Sequence, residues 1–172
     1  MKAYGIYNEL ENEENEETYI FLKSRVLLNL GELYKNTHEF EKANKSFKDC
    51  NNIRRKLNKK NSDIYSKPFG NSLYCYAELL HINNFIEDTI EIINEALDIY
   101  FKLYYKNPYS FYINIGQCLI KKAEVCSIVN QISEAKSLLA QAIEIVKNHK
   151  DIDECLDLII QSESLLEELN NN

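Results

Sequence analysis

Leu30-Gly31-Glu32-Leu33-Tyr34, a polar break at Asn36-Thr37-His38-Glu39, then Phe40-Glu41-Lys42-Ala43 and Phe47 form the stretch that decides the fold. Apolar residues ahead of the break, at Ile20, Val26, Leu27, Leu30 and Tyr34, fall mostly three or four apart. Phe40, Ala43, Phe47, Cys50 and Leu57 keep the same step beyond it. This is the spacing of an apolar stripe on an α-helix. Two such helices joined by so short a loop are expected to pack antiparallel.

The pattern recurs with a period of 46 residues. Small residues stand in register at Gly31, Ala77 and Ala123, where they let a second helix approach closely. Leu27, Leu73 and Leu119 keep the interval, as do Tyr34, Leu80 and Cys126. In the second helices the columns are Phe40/Ile86/Ile132, Ala43/Thr89/Ala135, Phe47/Ile93/Leu139 and Cys50/Ala96/Ala142. Seven matched columns without a gap define an internal repeat.

These residues resemble the tetratricopeptide repeat family, whose unit carries Leu-Gly or Leu-Ala and then Tyr in its first helix. Its second helix carries Ala, a large apolar residue and Ala. Leu30-Gly31 with Tyr34, Phe40, Ala43 and Phe47 is the closest copy. Ile86-Glu87-Asp88-Thr89 with Ala96, and Ile132-Ser133-Glu134-Ala135 with Ala142, are the others. The long period is similar to the extended repeats of kinesin light chains and bacterial arrays. The chain departs from the pattern at Thr89, at Cys50 and at Lys122, and Pro68 and Pro108 are read as marking the breaks between repeats.

The resemblance implies an all-α fold, an α-solenoid of three stacked antiparallel helix pairs in a right-handed superhelix with a C-terminal capping helix. The expected segments are an acidic N-terminal arm over 1–18, repeats over 19–58, 66–106 and 109–149, and a cap over 151–169. The cap is read from Ile152, Cys155, Leu156, Ile159, Ile160, Leu166 and Leu169, with Asp151 and Asp153 suited to the positive end of a helix dipole. Such stacks need a terminal helix over their last apolar face. Together with Met1, the cap is what a complete small protein would carry.

Composition agrees with this reading and excludes several function classes. Only 4 Gly and 2 Pro occur in 172 residues, too few turn residues for a β-sandwich or barrel. Of the net charge of −7, residues 1–20 hold −5, from Lys2 against Glu9, Glu11, Glu13, Glu14, Glu16 and Glu17. The body is nearly neutral, without the basic face that nucleic acid requires. That leader is read as a solvated arm or a frayed helix start. No signal peptide or membrane-spanning run is present, and the odd, scattered set Cys50, Cys75, Cys118, Cys126 and Cys155 suits free thiols in the cytoplasm.

No motif carries chemistry. His38, His81 and His149 are isolated, no CxxC pair or metal-spaced cluster occurs, and no phosphate loop, dinucleotide motif or nucleophile elbow is present. An enzyme is not expected, nor a cofactor or metal. Arg54-Arg55-Lys56 with Lys59-Lys60 reads as a cationic end to a helix, and Tyr104, Tyr105, Tyr109, Phe111 and Tyr112 as packing around the bend at Pro108.

The family resemblance places a binding groove on the first helices of the pairs. Carried over position by position, the partner-binding residues are Arg25, Asn29, Glu32 and Lys35, then Asn71, Tyr74, Glu78 and His81, then Gln117, Lys121 and Glu124. Glu32, Glu78 and Glu124 recur with the repeat, a column that would favour a basic or amine-bearing peptide unless each pairs with a lysine three residues away, such as Lys35 or Lys121. Co-chaperone domains of this family hold acidic chain ends with a clamp whose places are here Leu28, Glu32, Cys75, Gln117 and Lys121. With one basic residue among them, that clamp is not expected. The leading expectation is an adaptor or scaffold that binds a protein or peptide. The alternatives are a receptor for a signalling peptide and a self-associating homo-oligomer.

Overall fold

The computed structural model describes the backbone of residues 2–149 and 152–171, and the side chains from residue 16 onward within those ranges. Asp151 and the side chains of Glu9, Glu11, Glu13 and Glu14 lie outside what is described. The fold is all-α. Among the described residues there are seven α-helices: α1 (Lys2–Asn36), α2 (Phe40–Lys60), α3 (Ser62–Ile82), α4 (Ile86–Lys106), α5 (Tyr112–Ile128), α6 (Ile132–Val146) and α7 (Asp153–Asn171). A single 3-10 turn, Lys147–His149, follows α6. Two compact units share the chain, Met1–Cys75 and Tyr76–Asn172, and the division falls within α3.

The helical repeat is written into the backbone of the turns. His38, Asn84 and Asn130 all adopt the left-handed conformation, with φ of 60°, 61° and 61°. They are one 46-residue period apart. In each turn the next residue's N–H reaches back across the helix end. Glu39 donates to the Tyr34 carbonyl at 2.9 Å, Phe85 to that of Leu80 at 2.9 Å, and Gln131 to that of Cys126 at 2.8 Å. These bonds satisfy carbonyls that a helix C-terminus leaves open. Asparagine tolerates this conformation better than most residues, whereas histidine at position 38 carries the larger strain. His38→Gly is therefore expected to raise stability by about 0.5–1 kcal/mol, read as a higher urea midpoint at unchanged slope. A fall in the midpoint would mean that the His38 side chain contributes more than its backbone costs.

Within the first unit, α1 and α2 pack along their lengths. Gly31 lies directly on the Phe47 ring, so that a Cβ there would stand 2.8 Å from the nearest ring carbon. This is the close approach that the small-residue column implies. The end of α2 is level with Glu17, whose carboxylate accepts from the Tyr65 hydroxyl at 2.8 Å and lies 3.7 Å from Lys60 Nζ. α1 thus begins well before Tyr19, the expected start of the first repeat, and the acidic leader continues as helix beyond the end of α2.

Of the two prolines expected to mark breaks between repeats, one does not. α3 starts at Ser62, so Pro68 lies inside it and marks no break between repeats. Proline there deprives the Ile64 carbonyl of its helical donor, but Ile64 is exposed and water can serve instead. Pro108 does fall in a break: α4 ends at Lys106, and α5 starts only after Phe111, held at φ 68°.

Polar groups penetrate the core of the first unit. Arg54, expected at a basic helix end, is 3% exposed and turned inward. Its Nε–H donates to Ser24 Oγ at 3.2 Å and its Nη1 to the Pro68 carbonyl at 2.5 Å. Asn51 is also 3% exposed, and neither its amide oxygen nor its nitrogen has a hydrogen-bond partner. One and two periods on, the same column holds Leu97 and Ile143. Because an unsatisfied buried amide costs free energy that a leucine would not, Asn51→Leu is expected to stabilise the chain by about 1–3 kcal/mol. Chemical denaturation checks it. Equal or lower stability would show that the amide is satisfied in solution.

In the second unit, the end of α3 and α4 form a helix hairpin closed by the Asn84 turn, and α4 packs on α5. α5 packs on α6, and α7 lies against both of them. The core is apolar: Leu79, Ile93, Ala96, Tyr100, Ile115, Leu119, Leu139, Ala142 and Val146 are buried. Thr89, the departure from the alanine column, is fully buried and turns its hydroxyl back onto the Phe85 carbonyl at 2.6 Å. Cys155, Leu158 and Ile159 bury the inner face of α7, which covers the last helix pair as the cap was expected to.

Candidate functional site

In the first unit, Arg25, Asn29, Glu32 and Lys35 are spaced four, three and three along α1, which places them on one side of the helix. Arg25 and Asn29 are exposed, whereas Glu32 and Lys35 are half-buried. Lys35 Nζ lies 2.8 Å from Glu32 Oε2, while Glu32 Oε1 is buried without a hydrogen-bond partner. On α3, Asn71 is exposed and Tyr74 half-buried.

The second unit brings three of the expected residues together. His81 sits in the last turn of α3, with Lys121 and Glu124 one turn apart on α5. Lys121 Nζ is 2.5 Å from Glu124 Oε2, and His81 Nδ1 is 3.7 Å from the same oxygen. Glu78 and Gln117 are half-buried, one turn earlier on α3 and α5. A fourth member comes from the capping helix: Gln161 Nε2 donates to Glu124 Oε1 at 3.4 Å. Sequence reasoning missed Gln161 because α7 lies outside the repeat and no column points to it.

Glu32 and Glu124 thus each hold the lysine three residues away, so two members of the acidic column are matched locally. Neither pair is fully exposed, and in each the carboxylate already holds a cation that a ligand's basic group would have to replace.

Burial pushes the His81 pKa down, Lys121 pushes it further the same way, and the Glu124 carboxylate opposes both. The folded state therefore takes up a proton less readily than the unfolded chain. The stability this contributes is present above the unfolded value of 6.5 and is lost as the pH falls through it. Urea midpoints measured between roughly pH 7.5 and 5.5 are expected to fall, and to fall less in His81→Gln. Equal slopes in the two proteins would remove His81 from the account.

Glu124 also forms one wall of a half-open hollow of about 320 Å³ between α5, α6 and α7. Ala123, Ile132, Leu139, Leu165 and Leu169 give it an apolar floor, and Glu124, Ser127 and Glu168 a polar edge. At the other end of the unit the aromatic run divides. Phe111 packs on Tyr100 and Tyr112 stacks on His149 with ring centroids 4.1 Å apart, while Tyr105 and Tyr109 stay exposed. The thiols of Cys118 and Cys126 are buried, and burial pushes both pKa values up, the direction opposite to that of a reactive thiolate. Among the described residues, no helix is long and apolar enough to cross a membrane. Compared with protein-family models and with curated proteins, the sequence matches none.

Proposed function

We propose that this chain is a tetratricopeptide-type adaptor of the cytoplasm, a non-catalytic module that binds a peptide or helix of a partner protein along its first helices. The observation that carries the reading is in the second unit. His81, Lys121, Glu124 and Gln161, from three helices, make a polar row beside an apolar hollow. A few placed polar groups next to an apolar depression are what recognition of a protein segment uses. Carboxylates that already accept lysine ammonium groups offer the same place to a ligand's cation, so a ligand with basic side chains is the expected class.

The test is capture from the native cell extract with the wild-type chain and with a Glu32→Lys/Glu78→Lys/Glu124→Lys variant whose helicity is intact by circular dichroism. A partner held by the first and lost by the second supports the reading. Retention by both would move the site away from these residues, and a specific turnover activity in the purified chain would overturn the non-catalytic assignment.

A further inference from the structure

The inward turn of Arg54 brings its guanidinium to a gap between α1 and α3. There Nε donates to Ser24 Oγ and Nη1 to the Pro68 carbonyl, and the group lies over the Phe21 ring, 5.9 Å from its centroid. A guanidinium carries five N–H groups, and these two bonds use two of them. Nη2 makes no hydrogen bond to the described residues, yet it is not one of the buried atoms left without a partner, so that end of the fork reaches solvent. Arg25 follows Ser24 on α1, is exposed, and is close enough for its charge to act on Arg54. Among the described residues, neither guanidinium is paired with a carboxylate. The neighbouring Cys50 thiol supplies no negative charge either, because burial pushes its pKa up and keeps it neutral.

We infer that Arg54 and Arg25 form a binding site for an oxyanion, the phosphate or carboxylate group of a ligand, between α1 and α3. Two neighbouring cations, one of them largely stripped of water, repel each other and are complementary to a negative group. Arg54 would hold it from the inner side through Nη2 and Arg25 from the outer side through its own fork. Guanidinium suits this task, since its planar donors match the oxygens of both groups and its charge is never lost. The site lies wholly in the first unit and is independent of the basic ligand proposed for the second.

The full chain is melted in sodium phosphate, in sodium acetate and in sodium chloride at equal ionic strength. With a dissociation constant of the order of 1 mM, about 20 mM of the preferred oxyanion should raise the melting temperature by about 4–6 °C over chloride. The larger response, to phosphate or to acetate, names the group. Arg54→Met should melt at the same temperature in all three salts. Arg25→Gln changes only an exposed side chain, so its fold is intact, and it should bind the oxyanion about 10-fold more weakly by calorimetric titration. Exclusion of phosphate from protein surfaces acts on every folded chain, so it would raise wild type and both variants alike. Such an equal rise overturns the inference. So does a wild type that responds to neither oxyanion, or binding that Arg25→Gln leaves unchanged.

Discussion

Gly31→Ala is expected to destabilise the chain, although alanine is the better helix former. In the helix interior the exchange gains about 1 kcal/mol of propensity. Against this, the new Cβ would meet three atoms of the Phe47 ring at 2.8–2.9 Å. That ring is fully buried and belongs to the core, so it cannot swing aside. Overpacking of this kind costs about 1–3 kcal/mol, which leaves a net loss of about 1–2 kcal/mol. Phe47→Leu alone should also cost about 1–2 kcal/mol, and Phe47→Ala about 3–5 kcal/mol, from the space left behind.

The other two repeats show how to reconcile the pair. Ala77 goes with Ile93 and Ala123 with Leu139, all buried, whereas glycine occurs where the partner is the ring. Gly31→Ala/Phe47→Leu reproduces the third repeat's solution inside the first. The double variant should cost less than either single change, with a coupling of about 2 kcal/mol in a double-mutant cycle from urea melts. Additive losses would show that the two columns do not pack on each other in solution.

That size exchange also explains why so much of the fold could be read from the sequence. Helix pairs bury one stripe against their neighbours, and the stripe repeats because each copy solves the same packing problem. Gly31, Ala77 and Ala123 were legible for that reason. The left-handed turn column was not, since His38 differs in chemistry from Asn84 and Asn130 while sharing their backbone. Pro68 misled because proline usually ends a helix, yet here an exposed carbonyl makes it tolerable inside one. At the site, the family resemblance pointed to eleven residues, which lie on α1, α3 and α5, and His81, Lys121 and Glu124 do converge. Gln161 enters through the cap, which carries no repeat signal, so only three-dimensional packing could add it.

Arg54→Met is expected to stabilise the first unit by about 1–3 kcal/mol, whereas Arg54→Ala is expected to destabilise it by about 2–3 kcal/mol. The guanidinium is almost wholly removed from water, and burial pushes its pKa down. Arg25 pushes it further the same way, and no carboxylate of the described residues figures among the groups that act on it. Its hydrogen bonds to Ser24 and to the Pro68 carbonyl are bonds to neutral oxygens. These do not offset the loss of hydration as a counter-ion would. One and two periods on, the same column holds Tyr100 and Val146, both buried, which shows that the position is a core position in the other copies. Methionine keeps the aliphatic stem that fills this space and removes the charge. Alanine removes both and leaves a cavity. If Arg54→Met instead lowers the urea midpoint by as much as Arg54→Ala, the guanidinium's bonds to α1 and α3 outweigh its desolvation. Arg54 would then be a polar clamp that fixes the register of three helices.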